Sequence, residues 1–220
     1  MTQHHYNRIS VSKGFSLIEV VLAIGIFLVT VLALVGLLGP TLQSIDEVEK
    51  IDEVSSIVNS VNAFLQSSPN IAMAGEPKFA TIYNAVRTND FATLFVFRAY
   101  ASSTSENIVL KIGFDSTEPV NNNSKIQNID FSNASGPIYR VVLSASSVLP
   151  ETTRSATRIT SGVYKLNDDI DGYLEGSFAM EVRIFAEEPP SPSQTFDAKT
   201  DLNALNTQET IFTYNTAIVR

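Results

Sequence analysis

The chain has 220 residues, 44% of them hydrophobic, a net charge of −8, no cysteine, and two histidines at positions 4 and 5. That composition leaves room for one sizeable core and excludes a disulfide framework, a Cys-ligated zinc and a thiol nucleophile. From residue 15 onward there is no histidine, which removes His-based triads and His metal sites, and 13 basic residues (15 less Arg8 and Lys13) stand against 23 acidic ones, net −10. Such a surface repels a phosphate backbone, so no nucleic-acid partner is expected.

Residues 1–14 form a short basic leader containing Arg8 and Lys13 and ending in Gly14. From Phe15 to Gly39 run 25 residues whose only ionisable group is Glu19. At about 1.5 Å per residue, a helix of that length crosses a hydrocarbon layer roughly 30 Å thick. The flank beyond it is acidic, with Asp46, Glu47 and Glu49 against Lys50. The charge bias therefore puts the N-terminus in the cytoplasm and the bulk of the chain outside.

Three readings compete for this segment. A cleaved signal peptide calls for a shorter apolar region ending in a small-x-small cleavage site, whereas here the run is longer and the chain continues after Gly39-Pro40 into an amphipathic helix. A plain uncleaved anchor accounts for the length and leaves Glu19 unexplained. The run Gly14-Phe15-Ser16-Leu17-Ile18-Glu19-Val20 resembles the signature of type IV prepilin-like proteins, which include minor pilins and pseudopilins. The likeness covers residues 8–40 closely and the long-helix layout beyond them more loosely.

That resemblance implies several things. A prepilin peptidase cuts between Gly14 and Phe15 on the cytoplasmic face and N-methylates the new Phe15 amine. Glu19 pairs with the N-terminal amine of a neighbouring pilin or pseudopilin subunit and sets register during assembly. The mature chain then sits as a single pass in inner-membrane lipid, its C-terminal domain periplasmic or extracellular, before entering a type IV pilus or a type II secretion pseudopilus. Physical cost agrees with a pairing role, since an unpaired carboxylate in lipid costs on the order of 3 kcal/mol. The competing account of Glu19 is that it snorkels to the interface. Gly25, Gly36 and Gly39 lack the G-x-x-x-G spacing, and Pro40 is expected to kink the helix at the membrane exit.

Beyond Pro40, Leu42, Ile45, Val48, Ile51, Val54, Val58, Val61 and Leu65 recur at steps of three or four, an amphipathic helical period over 41–68. Ser67-Ser68-Pro69 ends it, giving one helix over residues 15–67. Its apolar stripe suits a coiled coil or a sheet, and the strand-like segments that follow favour the sheet. The region 69–90 adds a short helix or an irregular loop. Five segments rich in β-branched and aromatic residues follow, at 91–100, 107–114, 137–146, 176–186 and 209–220. Nothing helical stands out between 90 and 186, and residues 187–208, opening Glu187-Glu188-Pro189-Pro190, read as a long mobile connection. The expected fold is α+β: a pilin-like roll with a long N-terminal membrane-spanning helix packed on an antiparallel sheet, the β-rich domain covering 69–220.

One loop invites a metal reading. In residues 167–178, Asn167, Asp169, Asp171 and Gly172 match the first half of a calcium loop, whereas the twelfth position is Phe178 and only Glu175 is placed to substitute. A solvated hairpin turn is the competing account, so no metal or cofactor is assigned. No nucleophile elbow, phosphate-binding loop or zinc motif occurs, and the adjacent acids Asp168/Asp169 and Glu187/Glu188 suit solvated loops, so no catalytic residue is named. The expectation is a structural, non-enzymatic prepilin-like subunit of minor type; a membrane-tethered binding module or adhesin is the alternative.

Overall fold

The computed structural model describes residues 14–102, 106–191 and 194–220, without the side chains of 38–47, 49 and 50. The leader with Arg8 and Lys13 therefore lies outside the described residues, apart from Gly14. The chain divides into two units between Asp52 and Glu53. Helix α1 (Leu17–Ser67) runs through the division and is continuous past Pro40. Ser16 starts it: its carbonyl accepts from the Glu19 and Val20 N–H groups, and its Oγ accepts a second bond from Glu19 N at 3.3 Å. The helix stops where sequence places its stop, with Ser68 N donating to Phe64 O ahead of Pro69.

In the first unit, Leu17–Leu37 is long and apolar enough to cross a membrane, and among the described residues none of that span is buried. The core helix of a soluble domain is mostly buried, which this span is not.

The second unit is built on five antiparallel strands, β1 (Phe91–Tyr100), β2 (Ile108–Phe114), β3 (Ala134–Ala145), β4 (Ser177–Glu187) and β5 (Phe212–Val219), in the order β2-β1-β3-β4-β5. Alternation along the strands gives the sheet two apolar faces. On one, Leu94 and Val96, Val141 and Leu143, and Phe178, Met180, Val182 and Ile184 meet Ile57, Val61 and Leu65 of α1. Those three helix residues recur every fourth position and form the buried edge of the stripe seen in the sequence. Polar contacts fix the helix on that face, where Asn62 Oδ1 accepts from Thr216 Oγ1 at 2.9 Å. Helix α2 (Lys78–Thr88) adds Phe79, Ile82, Tyr83 and Val86 to the same core.

The opposite face is where the sequence reading needs correction. Phe95, Phe97 and Ile138 are covered by Ile126, Phe131 and Phe196, while Val142 and Phe185 are covered by Val163, Leu202 and Leu205. The cover comes from connections, including two one-turn helices, α3 (Asn128–Phe131) and α4 (Leu202–Leu205). The stretch 187–208, expected as a long mobile connection, thus contributes Phe196, Ala198, Leu202 and Leu205 to the cover of that face.

Arg140 on β3 holds that cover in place. It is buried, and all five of its N–H donors have acceptors. Nε and Nη2 grip the two Glu187 oxygens, Nη2 also reaches Asp197 O at 2.6 Å, and Nη1 reaches Ala198 O at 2.7 Å and Thr200 Oγ1 at 2.9 Å. The guanidinium also lies over the Phe95 and Phe196 rings, 4.9 and 5.5 Å from their centroids. Arg140→Met keeps the volume and leaves Glu187 and three backbone or hydroxyl acceptors unmatched. Chemical denaturation of the full chain is expected to show a loss on the order of 3 kcal/mol, with new protease cleavage within 188–200. A loss below about 0.5 kcal/mol, the ordinary effect of a surface substitution, would show that the cover does not depend on this residue.

Candidate functional site

The residues that carry the prepilin resemblance lie at the start of α1. A side chain added at Gly14 would meet nothing within 4 Å, so the backbone there is open to approach. Phe15 is 82% exposed. Glu19 is exposed in the first helical turn, with its backbone N–H held by Ser16, and none of the ion pairs among the described residues includes it. The helix N-terminus favours a negative charge at that place. Further along, Thr30 donates its hydroxyl to the carbonyls of Ile26 and Phe27, at 3.0 and 2.8 Å. Its polar group is thus satisfied within the helix, as hydrocarbon surroundings require.

The 167–178 loop is a packed turn. Asn167 donates its amide to the carbonyls of Glu151, Thr152 and Arg154, and Asp169 Oδ1 accepts from Gly172 N at 3.0 Å. Tyr83 on α2 donates its hydroxyl to Asp168 O at 2.8 Å. Burial, with Asp168 nearby, pushes the Tyr83 phenol up to about 12. Phe178, at the position a calcium loop reserves for a bidentate acid, is fully buried in β4 against Tyr83. Among the described residues no three acidic side chains converge as a metal would require.

A second site went unseen in the sequence. Strand β2 ends at Phe114, and Asp115-Ser116-Thr117-Glu118-Pro119 turns away from the sheet. Asp115 N still donates to Thr93 O at 2.9 Å, and Glu118 then folds back so that its Oε1 accepts from Thr93 N at 2.7 Å. The carboxylate takes the place of the backbone carbonyl that a longer β2 would offer. Asp115 shapes the turn by accepting from Thr117 N, Thr117 Oγ1 and Ser116 Oγ. Glu118 is 3% exposed, and its Oε2 is buried with no hydrogen-bond partner. It lines a cleft of ≈ 700 Å³ between this turn, the start of β1 and the Phe196–Thr200 segment. In sequence Glu118 is one loop acid before a proline; only the pairing of β1 with the turn makes it special.

Burial raises the Glu118 carboxyl to about 8, with Asp115 adding to the rise and the Thr93 bond and Lys125 opposing it. Asp90, Asp197 and Lys199 are the other charged residues around the cleft. An acid whose folded pKa lies above its ordinary value binds its proton more tightly when folded. Its contribution to stability is therefore full below about pH 4.5 and is lost as the pH rises through about 8. Across that window the loss from Glu118 is on the order of 5 kcal/mol. Denaturation of wild type and Glu118→Gln at pH 5 and pH 9 is expected to show the variant losing less stability than wild type on going to pH 9. Parallel profiles would contradict this account of the carboxyl.

Comparison with known proteins gives no match to a family model, to a curated protein or to a solved structure.

Proposed function

We propose that this chain is a prepilin-like structural subunit, cut between Gly14 and Phe15 by a prepilin peptidase and assembled through α1 into a type IV pilus or a type II secretion pseudopilus, as a minor component. The observation that carries the reading is the run Gly14-Phe15-Ser16-Leu17-Ile18-Glu19-Val20 set at the start of an apolar helix with no buried surface of its own. A segment of that length and exposure calls for an apolar environment supplied from outside the chain, first lipid and then neighbouring helices.

Glu19 has a definite part in this scheme. Removal of the leader places a cationic Phe15 amine one helical turn from Glu19, and the same amine on an adjacent subunit is its partner in the assembled state. In a low-dielectric setting that pair is decisive for register, because either charge alone is costly. The leader's Arg8 and Lys13 keep the cleavage point on the cytoplasmic side, and residues 53–220 stand outside the inner membrane. The role is structural and requires no catalytic group.

A tethered binding module is the second reading, favoured by one observation, the cleft at Glu118. Glu19→Ala separates the two. Under the assembly reading the variant remains in the membrane fraction, while crosslinking of the full chain to neighbouring subunits falls at least tenfold. Unchanged crosslinking would contradict the assembly role of Glu19 and leave the tethered module as the better account.

A further inference from the structure

The cleft at Glu118 combines three features that suit one kind of ligand. Its walls carry four carboxylates, Asp90, Asp115, Glu118 and Asp197, against the single ammonium of Lys199. Two aromatic side chains, Phe91 and Phe196, supply apolar surface between them. One wall residue, Glu118, is held rigidly by Thr93 N and keeps a buried oxygen without a hydrogen-bond donor. Once the carboxyl is ionised, that oxygen is a buried acceptor whose unmatched state costs free energy that an incoming donor recovers. A cation would also relieve the repulsion between Glu118 and Asp115.

The geometry narrows the ligand further. A divalent metal is disfavoured, because no three acidic side chains among the described residues converge on a point. A guanidinium recognises a carboxylate through both oxygens at once, and Glu118 Oε1 is already occupied by Thr93. An ammonium is a compact point charge that satisfies a single oxygen, and an alkyl chain attached to it lies comfortably on aromatic faces. We propose that the cleft between the Asp115–Glu118 turn and the Phe196–Thr200 segment binds a primary alkylammonium group, carried by a free polyamine or by a lysine side chain. Glu118 receives the ammonium, Asp115 adds charge beside it, and Phe91 and Phe196 take the methylene chain. The proposal is independent of the prepilin reading, since it uses no residue before Asp90.

Calorimetric titration of the full chain in detergent micelles tests it, with spermidine and N-acetyl-lysine methylamide as probes. Saturable one-to-one binding of at least one probe at pH 9 is expected. Spermidine alone identifies a free polyamine as the source, and binding of the lysine amide identifies a protein side chain. Affinity is expected to be roughly tenfold higher at pH 9 than at pH 7, as the ionised fraction of a carboxyl with a pKa of about 8 grows. The charges facing that carboxyl are Asp115 and Lys125, with Asp90, Asp197 and Lys199 around the cleft. Glu118→Gln keeps an acceptor for Thr93 N and is expected to weaken binding at least tenfold at pH 9. Should that variant not fold, Asp115→Asn preserves the turn's acceptor and is expected to weaken binding about threefold. No saturable heat at pH 9, unchanged affinity in the variant that folds, or displacement of both probes by calcium chloride at lower concentration would overturn the proposal. None of these outcomes bears on the processing of the N-terminus, so failure here is distinguishable from failure of the prepilin reading.

Discussion

A five-stranded sheet that is apolar on both faces has to be covered twice, and the two covers in this chain are made of very different sequence. One is the second half of α1, where Ile57, Val61 and Leu65 recur with helical period and lie on the strands. The other is a set of connections with little regular structure, including the Phe196–Leu205 stretch. Connections of that kind carry backbone polar groups that must be matched when they lie on a core. Arg140 answers the need from within β3, matching three groups of the cover and the Glu187 carboxylate with one planar fork. The cleft at Glu118 depends on that closure, because Phe196 and Thr200 belong both to the cover and to the cleft wall.

The regular parts of this arrangement were legible in the sequence because they follow from periodicity. Strand β1 occupies the residues expected, 91–100, and the ends of the other strands fall within three residues of their predicted limits. The end of α1 at Ser67 follows from Ser68-Pro69. The second cover was not legible, since Pro189, Pro190 and the surrounding Ser and Asp residues have the composition of an exposed linker. Its anchors, Phe196, Leu202 and Leu205, are too widely spaced to show a period. In sequence Arg140 is one charged residue within a strand-like segment, and nothing local distinguishes it from an arginine facing solvent. Glu118 was hidden for the same reason: its environment is made by Thr93, 25 residues earlier.

The first unit poses a different physical problem. Leu17–Leu37 presents only apolar side chains and Thr30 to its surroundings once Glu19, Gly25 and Gly36 are set aside, and among the described residues none of that span is buried. Surface of that extent is met by lipid or by other copies of similar helices. Glu19 is the one charge in that span, favoured by the helix N-terminus and costly in hydrocarbon. Under the prepilin reading, the same charge that burdens the helix in lipid makes the new Phe15 amine the most favourable neighbour available.

Mass spectrometry of the protein recovered from the cells that make it natively tests the central claim most directly. The account predicts a mature chain that begins at Phe15 and carries one additional methyl group on its amine. A chain that retains Met1, or begins at any residue other than Phe15, would contradict it.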